Sequence, residues 1–142
     1  MRWRAGSQRG VRAPVEITPD APYARFLAPA GGVERSRRER EAHAQARLRA
    51  QNEWIEATCE SFGVEGMLTF VCECGTPQCA ETLPLTRSEY ELVRAAPTHF
   101  VIAPNYENPD TDVVIGSCPR FSVVAKIEPS TLRIARATDP RQ

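Results

Sequence analysis

The alternation of apolar and polar positions divides the chain into unlike stretches. Positions 1–33 show no sustained period. Prolines at 14, 19, 22 and 29 and glycines at 6, 10, 31 and 32 interrupt them, and the spacing predicts a flexible arm. Tyr23, Phe26 and Leu27 form one short apolar island within it, suited to docking on a partner or on the rest of the chain. A helix is predicted over 34–63, stopped by Gly63. Its first half, Glu34 to Glu41, carries opposite charges at helical spacing and no apolar face, so it should project into solvent. In its second half Leu48, Ile55, Cys59 and Phe62 recur at helical spacing, with Trp54 and Thr58 alongside, and that stripe should pack on the core.

From Val64 the period shortens. Gly66–Cys72 and Ala80–Leu85 read as two strands of a hairpin. Thr86 and Glu89 match a capping box at the start of a short helix over 87–96, which should bury Tyr90, Leu92 and Val93 and end at Pro97. Strands follow at Phe100–Ala103, Val113–Ile115 and Phe121–Ile127. A last short element covers Leu132–Arg136. The fold class is α+β: a small antiparallel sheet with a zinc-knuckle hairpin, one long N-terminal helix and one short helix. The expected organisation is an arm (1–33), a charged-to-amphipathic helix (34–63), a cysteine-knuckle domain (64–137) and a tail (138–142).

The turn of the predicted hairpin carries the candidate chemistry. Cys72, Cys74 and Cys79 fall within eight residues in a C-x-C-x4-C spacing, with Gly75 and Pro77 shaping the turn. Thiolates crowded this closely repel one another unless a metal takes them or two of them oxidise. A soft divalent ion in tetrahedral sulfur geometry, most often zinc, resolves the conflict. One structural zinc is therefore expected, and it needs a fourth ligand. Cys118, in the turn-like stretch Gly116–Pro119, and His99, at a strand entrance, are the two leading candidates. Cys59 reads better as a small buried hydrophobe and His43 as a solvated residue. Glu73 and Glu81, beside the thiols, are where a hydrolytic zinc site would find a general base, and they read at least as well as solvated hairpin residues.

Composition narrows the function. The five cysteines, an odd number with three clustered, do not resemble a secreted disulfide framework. No segment approaches the ~20 apolar residues of a membrane span. Met1-Arg2-Trp3-Arg4 is not followed by an apolar run, so no secretory signal is expected and a reducing cytoplasm is the natural compartment. Net charge is zero, but arginines crowd the first fifty positions and Lys126 is the only lysine. Arg37, Arg38, Arg40 and Arg47 on the projecting helix are the candidate partner-binding residues. A protein partner is expected, with nucleic acid as the alternative, reached through the arginine-rich half. There is no phosphate-cradling loop, catalytic carboxylate pair or dinucleotide fingerprint, so an enzyme is not expected. The reading is a non-catalytic zinc domain acting as an interaction or regulatory module; a thiol redox switch is a further alternative.

Two resemblances bear on this. Cys72-Glu73-Cys74-Gly75 to Cys79 resembles the post-SET zinc knuckle of histone lysine methyltransferases, over the knuckle alone, which supports zinc and implies no methyl transfer. Asn52, Phe70, Cys72, Glu73, Cys74, Cys79, Leu85, Thr86, Glu89, Tyr90, Arg94, Pro97, Phe100, Ile102, Pro104 and Asp139-Pro140-Arg141 resemble, in order, a group of small uncharacterised actinobacterial proteins. In those relatives a Gly-His pair tends to follow the proline equivalent to Pro104 and would suit the fourth ligand. Asn105-Tyr106 stands there in this chain. The resemblance then implies that His99 or Cys118 has taken over, or that metal binding is weakened or lost.

Overall fold

The computed structural model describes residues 30–142. The arm expected over 1–33, apart from Ala30–Val33, and its Tyr23–Leu27 island lie outside the described residues. Helix α1 (Ala30–Ser61) is 32 residues long, a rod of about 48 Å. Gly63 closes it with φ +66°. Gly63 N–H donates to Glu60 O at 3.1 Å and Val64 N–H to Cys59 O at 2.9 Å, the two bonds of a Schellman cap.

Strands β1 (Met67–Val71) and β2 (Thr82–Thr86) pair antiparallel, Met67 facing Thr86 and Val71 facing Thr82. Period-two alternation buries Leu68, Phe70, Leu83 and Leu85 and turns Met67, Thr69, Thr82 and Pro84 outward. Helix α2 (Arg87–Val93) starts on the expected capping box: Glu89 N–H donates to Thr86 Oγ1 at 3.2 Å and Thr86 N–H to Glu89 Oε1 at 2.8 Å. It buries Tyr90 and Val93, and the Tyr90 ring stacks on Phe70 with centroids 4.5 Å apart. Leu92 is exposed, against expectation.

A second sheet holds β3 (His99–Ile102), β4 (Asp112–Cys118) and β5 (Phe121–Lys126) in the order β3-β5-β4, all antiparallel. The strands thus form two sheets, the knuckle hairpin being separate from the three-stranded one. Most of β3 and β5 is buried, so these strands carry apolar residues with little alternation. Helix α3 (Pro129–Ala137) starts on Glu128, whose carboxylate accepts from the Ser130 and Thr131 amides, with Pro129 in the first turn. The undecided segment over Leu132–Arg136 is therefore helical.

The expected core stripe of α1 is rotated. Ile55 and Cys59 pack at the core margin, but Trp54 is 68% exposed and Phe62 80%. The buried face is instead Ala42, Gln45, Ala46, Arg49, Asn52 and Glu56. Its polar members are buried because each reaches a polar group of the body. Arg49 donates to Ala135 O at 2.8 Å and to Pro97 O, so one guanidinium holds the end of α3 and the segment after α2 while lying 4.6 Å above the Phe100 ring. Phe62 follows the last helical residue and stays on the exposed cap.

Two more polar links close the body. Lys126 Nζ donates to Asp112 Oδ1 at 2.7 Å across β4 and β5, both side chains almost fully buried. Arg94, also buried, pairs with Glu53 of α1 and with Asp139, and Arg141 bonds Glu53, Glu56 and Glu91. The last residues are thereby tied to α1 and α2. Among the described residues no helix is long and apolar enough to cross a membrane.

Candidate metal centre

The knuckle is built where β1 leaves its partner. Cys72 N–H still donates to Glu81 O at 3.0 Å, extending the hairpin by one pair. At Glu73 the chain crosses to the other sheet: Glu73 N–H donates to Val101 O at 2.9 Å, and Val101 N–H donates back to the Glu73 carboxylate at 2.9 Å. The second Glu73 oxygen accepts from Asn52 at 2.8 Å. Burial pushes the Glu73 carboxyl up to about 7, against the opposing pull of the Val101 and Asn52 donors. Glu73 is thus not the solvated hairpin residue expected; it is a buried clip between β1, α1 and β3. Glu81 is exposed.

Beyond Glu73 the backbone must turn under α1. Gly75 does so at φ +75°, and a Cβ there would stand 2.8 Å from Gln45 Cγ and 2.9 Å from Glu41 O. Only glycine meets both demands, the left-handed backbone and the close approach of the helix. Gln45 secures that approach by donating to Cys74 O at 3.1 Å. Cys79 N–H then donates to Thr76 O at 3.0 Å and turns the chain back toward β2.

These turns bring the Sγ atoms of Cys72, Cys74 and Cys79 within 4.8 Å of one another. Thiolates around a tetrahedral zinc, at about 2.3 Å from the ion, stand about 3.8 Å apart, so the three are spaced to share one ion. Cys72 and Cys74 are buried and Cys79 is partly exposed. Two backbone amides point at the sulfurs: Ala103 N–H at Cys72 Sγ (3.2 Å) and Thr76 N–H at Cys74 Sγ (3.4 Å). Donors of this kind disperse thiolate charge. A hydrogen bond from Cys72 holds the Cys74 thiol down to about 5, helped by Thr76 and opposed by burial. Cys72, which gives that hydrogen bond and is itself buried, is shifted up.

None of the four proposed completing ligands joins this group. Cys118 is not in a loop folded back over the knuckle; it is the last residue of β4, paired with Phe121 and packed at the core margin. His99 opens β3, whereas the knuckle meets that strand at Val101 and just beyond its end at Ala103. Cys59 packs on the core from α1, and His43 is exposed, as expected of a solvated residue. Beyond Ala103 the chain turns at Tyr106. Its N–H donates to Ala103 O at 3.2 Å through a turn in which Asn105 holds φ +74°. The negative charge of Glu81, then desolvation and the charges of the three knuckle thiols, push its phenol up.

Arg37, Arg40 and Arg47 lie along α1 with Arg38, which is half-buried within electrostatic reach of Glu128. They are spread along the helix and are not gathered at the cysteines. The residues that shape the centre without being sulfur donors are Gln45, Asn52 and Glu73. The only sequence signal for them was the resemblance, which includes Asn52 and Glu73 but gives neither a task.

Comparison of the chain with protein-family models, curated proteins and solved structures gives no match.

Proposed function

We propose that Cys72, Cys74 and Cys79 hold one zinc ion as a structural centre and that the chain is a non-catalytic, zinc-stabilised interaction module. The observation that carries this reading is the convergence of three thiols within 4.8 Å, two of them buried and met by backbone N–H donors. The ion would tie the crossing at Glu73 to the return at Cys79, and its binding free energy would add to folding free energy. The module's working surface is α1. Trp54 of that helix and Phe62 of its cap present large aromatic side chains to solvent, and Arg37, Arg40 and Arg47 lie along the same rod. Aromatic and arginine side chains are the types that dominate protein interfaces, which favours a protein partner over nucleic acid.

The test is metal content of the full chain purified under reducing conditions, with thiol titration before and after chelation. About one zinc per chain, with three thiols becoming reactive on chelation, supports the reading. Metal-free protein carrying a disulfide among Cys72, Cys74 and Cys79 replaces it with a thiol switch. Metal-free protein with all thiols reactive removes it.

A further inference from the structure

Burial separates two faces of α1. Ala42, Gln45, Ala46, Arg49, Asn52 and Glu56 meet the body, whereas Arg40, His43, Arg47, Ala50, Trp54 and Ala57 are all exposed. The exposed positions alternate steps of three and four. That is the 3.5-residue period of a seam that a second helix can follow along its length. Trp54 stands in the seam between Ala50 and Ala57, whose small side chains let another backbone come close. Phe62 and Val64, both exposed, continue the strip just past the end of the helix.

Charge selects what lies on this strip. Arg40 and Arg47 occupy its first half, and Glu60 and Glu65 are exposed at its other end. Among the described residues none of these four makes an ion pair. A strip that is basic at one end and acidic at the other is complementary to itself reversed. Let a second copy lie antiparallel, so that Trp54 of each chain meets Ala50 of the other. Arg47 then falls opposite Ala57, one turn from Glu60, and Arg40 falls opposite the stretch from Glu60 to Glu65. A parallel pairing would set arginine against arginine and glutamate against glutamate. Nucleic acid would meet the arginines but be repelled at the glutamate end.

Resting on the reading of α1 as the working surface, we infer that the partner of this face is a second copy of the chain, paired antiparallel along the seam about a two-fold axis between Ala50 and Trp54. The seam from Arg40 to Ser61 is about 32 Å long. A single helix pair of that length belongs with the smaller specific interfaces, below about 1,200 Å² in total, so the dimer is weak and reversible. Each chain keeps its own core and cysteine turn, which meet α1 on its buried face through Gln45, Arg49 and Asn52.

The experiment is sedimentation equilibrium of the full chain under reducing conditions, from micromolar to millimolar concentration, with zinc content measured on the same samples. A reversible monomer–dimer equilibrium is expected. Trp54→Glu should raise its dissociation constant about tenfold or more, as for a tryptophan central to an interface. Two charge variants, Arg40→Glu with Arg47→Glu and Glu60→Arg with Glu65→Arg, each set like charges together at both ends of the seam. Each should associate more weakly than the wild type, and the two mixed in equal amounts should recover the dimer. A chain that is monomeric at every concentration leaves the face to a different protein or to the chain's own first residues, and overturns the inference. A dimer indifferent to Trp54→Glu places the contact on another surface and overturns it too. Charge variants that each associate as tightly as the wild type overturn the antiparallel pairing. Either of the first two results in chains that retain their ion counts against this inference and leaves the zinc reading standing.

Discussion

Asn52 and Val71 are joined by a reciprocal pair of hydrogen bonds: the Asn52 amide donates to Val71 O at 2.9 Å, and its oxygen accepts from Val71 N–H at 2.8 Å. A helix side chain thus serves the backbone of β1 as a neighbouring strand would, at the residue before the knuckle begins. The same Asn52 amide also donates to Glu73. Replacing it by alanine would strip the Val71 backbone groups of this partner and leave the buried Glu73 carboxylate with Val101 N–H alone, a loss of about 2–4 kcal/mol by the usual cost of such groups. Asn52→Asp keeps the acceptor for Val71 N–H but sets a second carboxylate against Glu73. Urea denaturation should show Asn52→Asp more damaging at pH 8 than at pH 5, where the Glu73 carboxyl, pushed up to about 7, is protonated. Equal damage at both pH values would contradict the contact.

Two glycines with nearly the same backbone angle separate conformational cost from packing. A Cβ added at Gly63 would have nothing within 4 Å, whereas one added at Gly75 would meet Gln45 and the Glu41 carbonyl. Gly63→Ala should cost about 1–2 kcal/mol, the penalty of the left-handed conformation. Gly75→Ala should cost clearly more and lower metal affinity as well, since α1 must shift off the knuckle. Denaturation curves and metal titration of the two variants provide the comparison.

Chelation supplies a third test. In the loaded chain Cys72, Cys74 and Cys79 should react slowly with a thiol reagent and quickly once the ion is removed, while Cys59 and Cys118 should change little. The melting temperature should fall by several degrees or more, because ion binding adds to folding free energy. A melting temperature indifferent to chelator would deny the ion a structural role.

The carboxylates around Arg141 make stability depend on pH. Burial, and then its hydrogen bond with Glu91, raises the Glu56 carboxyl to about 8. A group whose folded value lies above its unfolded one contributes stability that is fully present below the unfolded value and is lost as pH rises through the folded one. Between about pH 4.5 and 8 this group should therefore cost the fold stability as its shared proton is given up. Glu56→Gln keeps an N–H donor for Glu91 without a titrating proton. Thermal melts of the variant should show a flatter decline across that window than the wild type.

The Asp112–Lys126 pair should behave as a unit. Removing one partner, as in Asp112→Leu or Lys126→Met, leaves a buried charge uncompensated and should cost about 3–5 kcal/mol. The double substitution should recover most of that loss, which a double-mutant cycle in urea measures directly.

The sequence was most legible where local chemistry decides the outcome. Thr86 and Glu89 announced the start of α2, Gly63 the end of α1, and the cysteine spacing the place where three thiols meet. Most strand ends fell within a residue or two of those expected, with β4 longer because Gly116–Cys118 stay in the ladder. The inward face of α1 was not legible. Apolar periodicity marked Leu48, Ile55, Cys59 and Phe62, while burial fell on Gln45, Arg49 and Asn52. A polar side chain is buried when a distant backbone group awaits it, and the acceptors here, Cys74, Ala135 and Val71, are brought near only by the completed fold. Glu73 was misread for the same reason, since its partner Val101 lies on another sheet.

The polar inner face of α1 works as a vernier. Apolar ridges can settle against a core at more than one axial offset, losing a little contact at each. Gln45, Arg49 and Asn52 each meet a fixed acceptor, at the knuckle, at the end of α3 and at the end of β1, and these acceptors line up with the helix at one setting only. Sliding α1 by a single turn would strand all three at once. The helix that carries the outward Trp54 is therefore indexed to the cysteine turn.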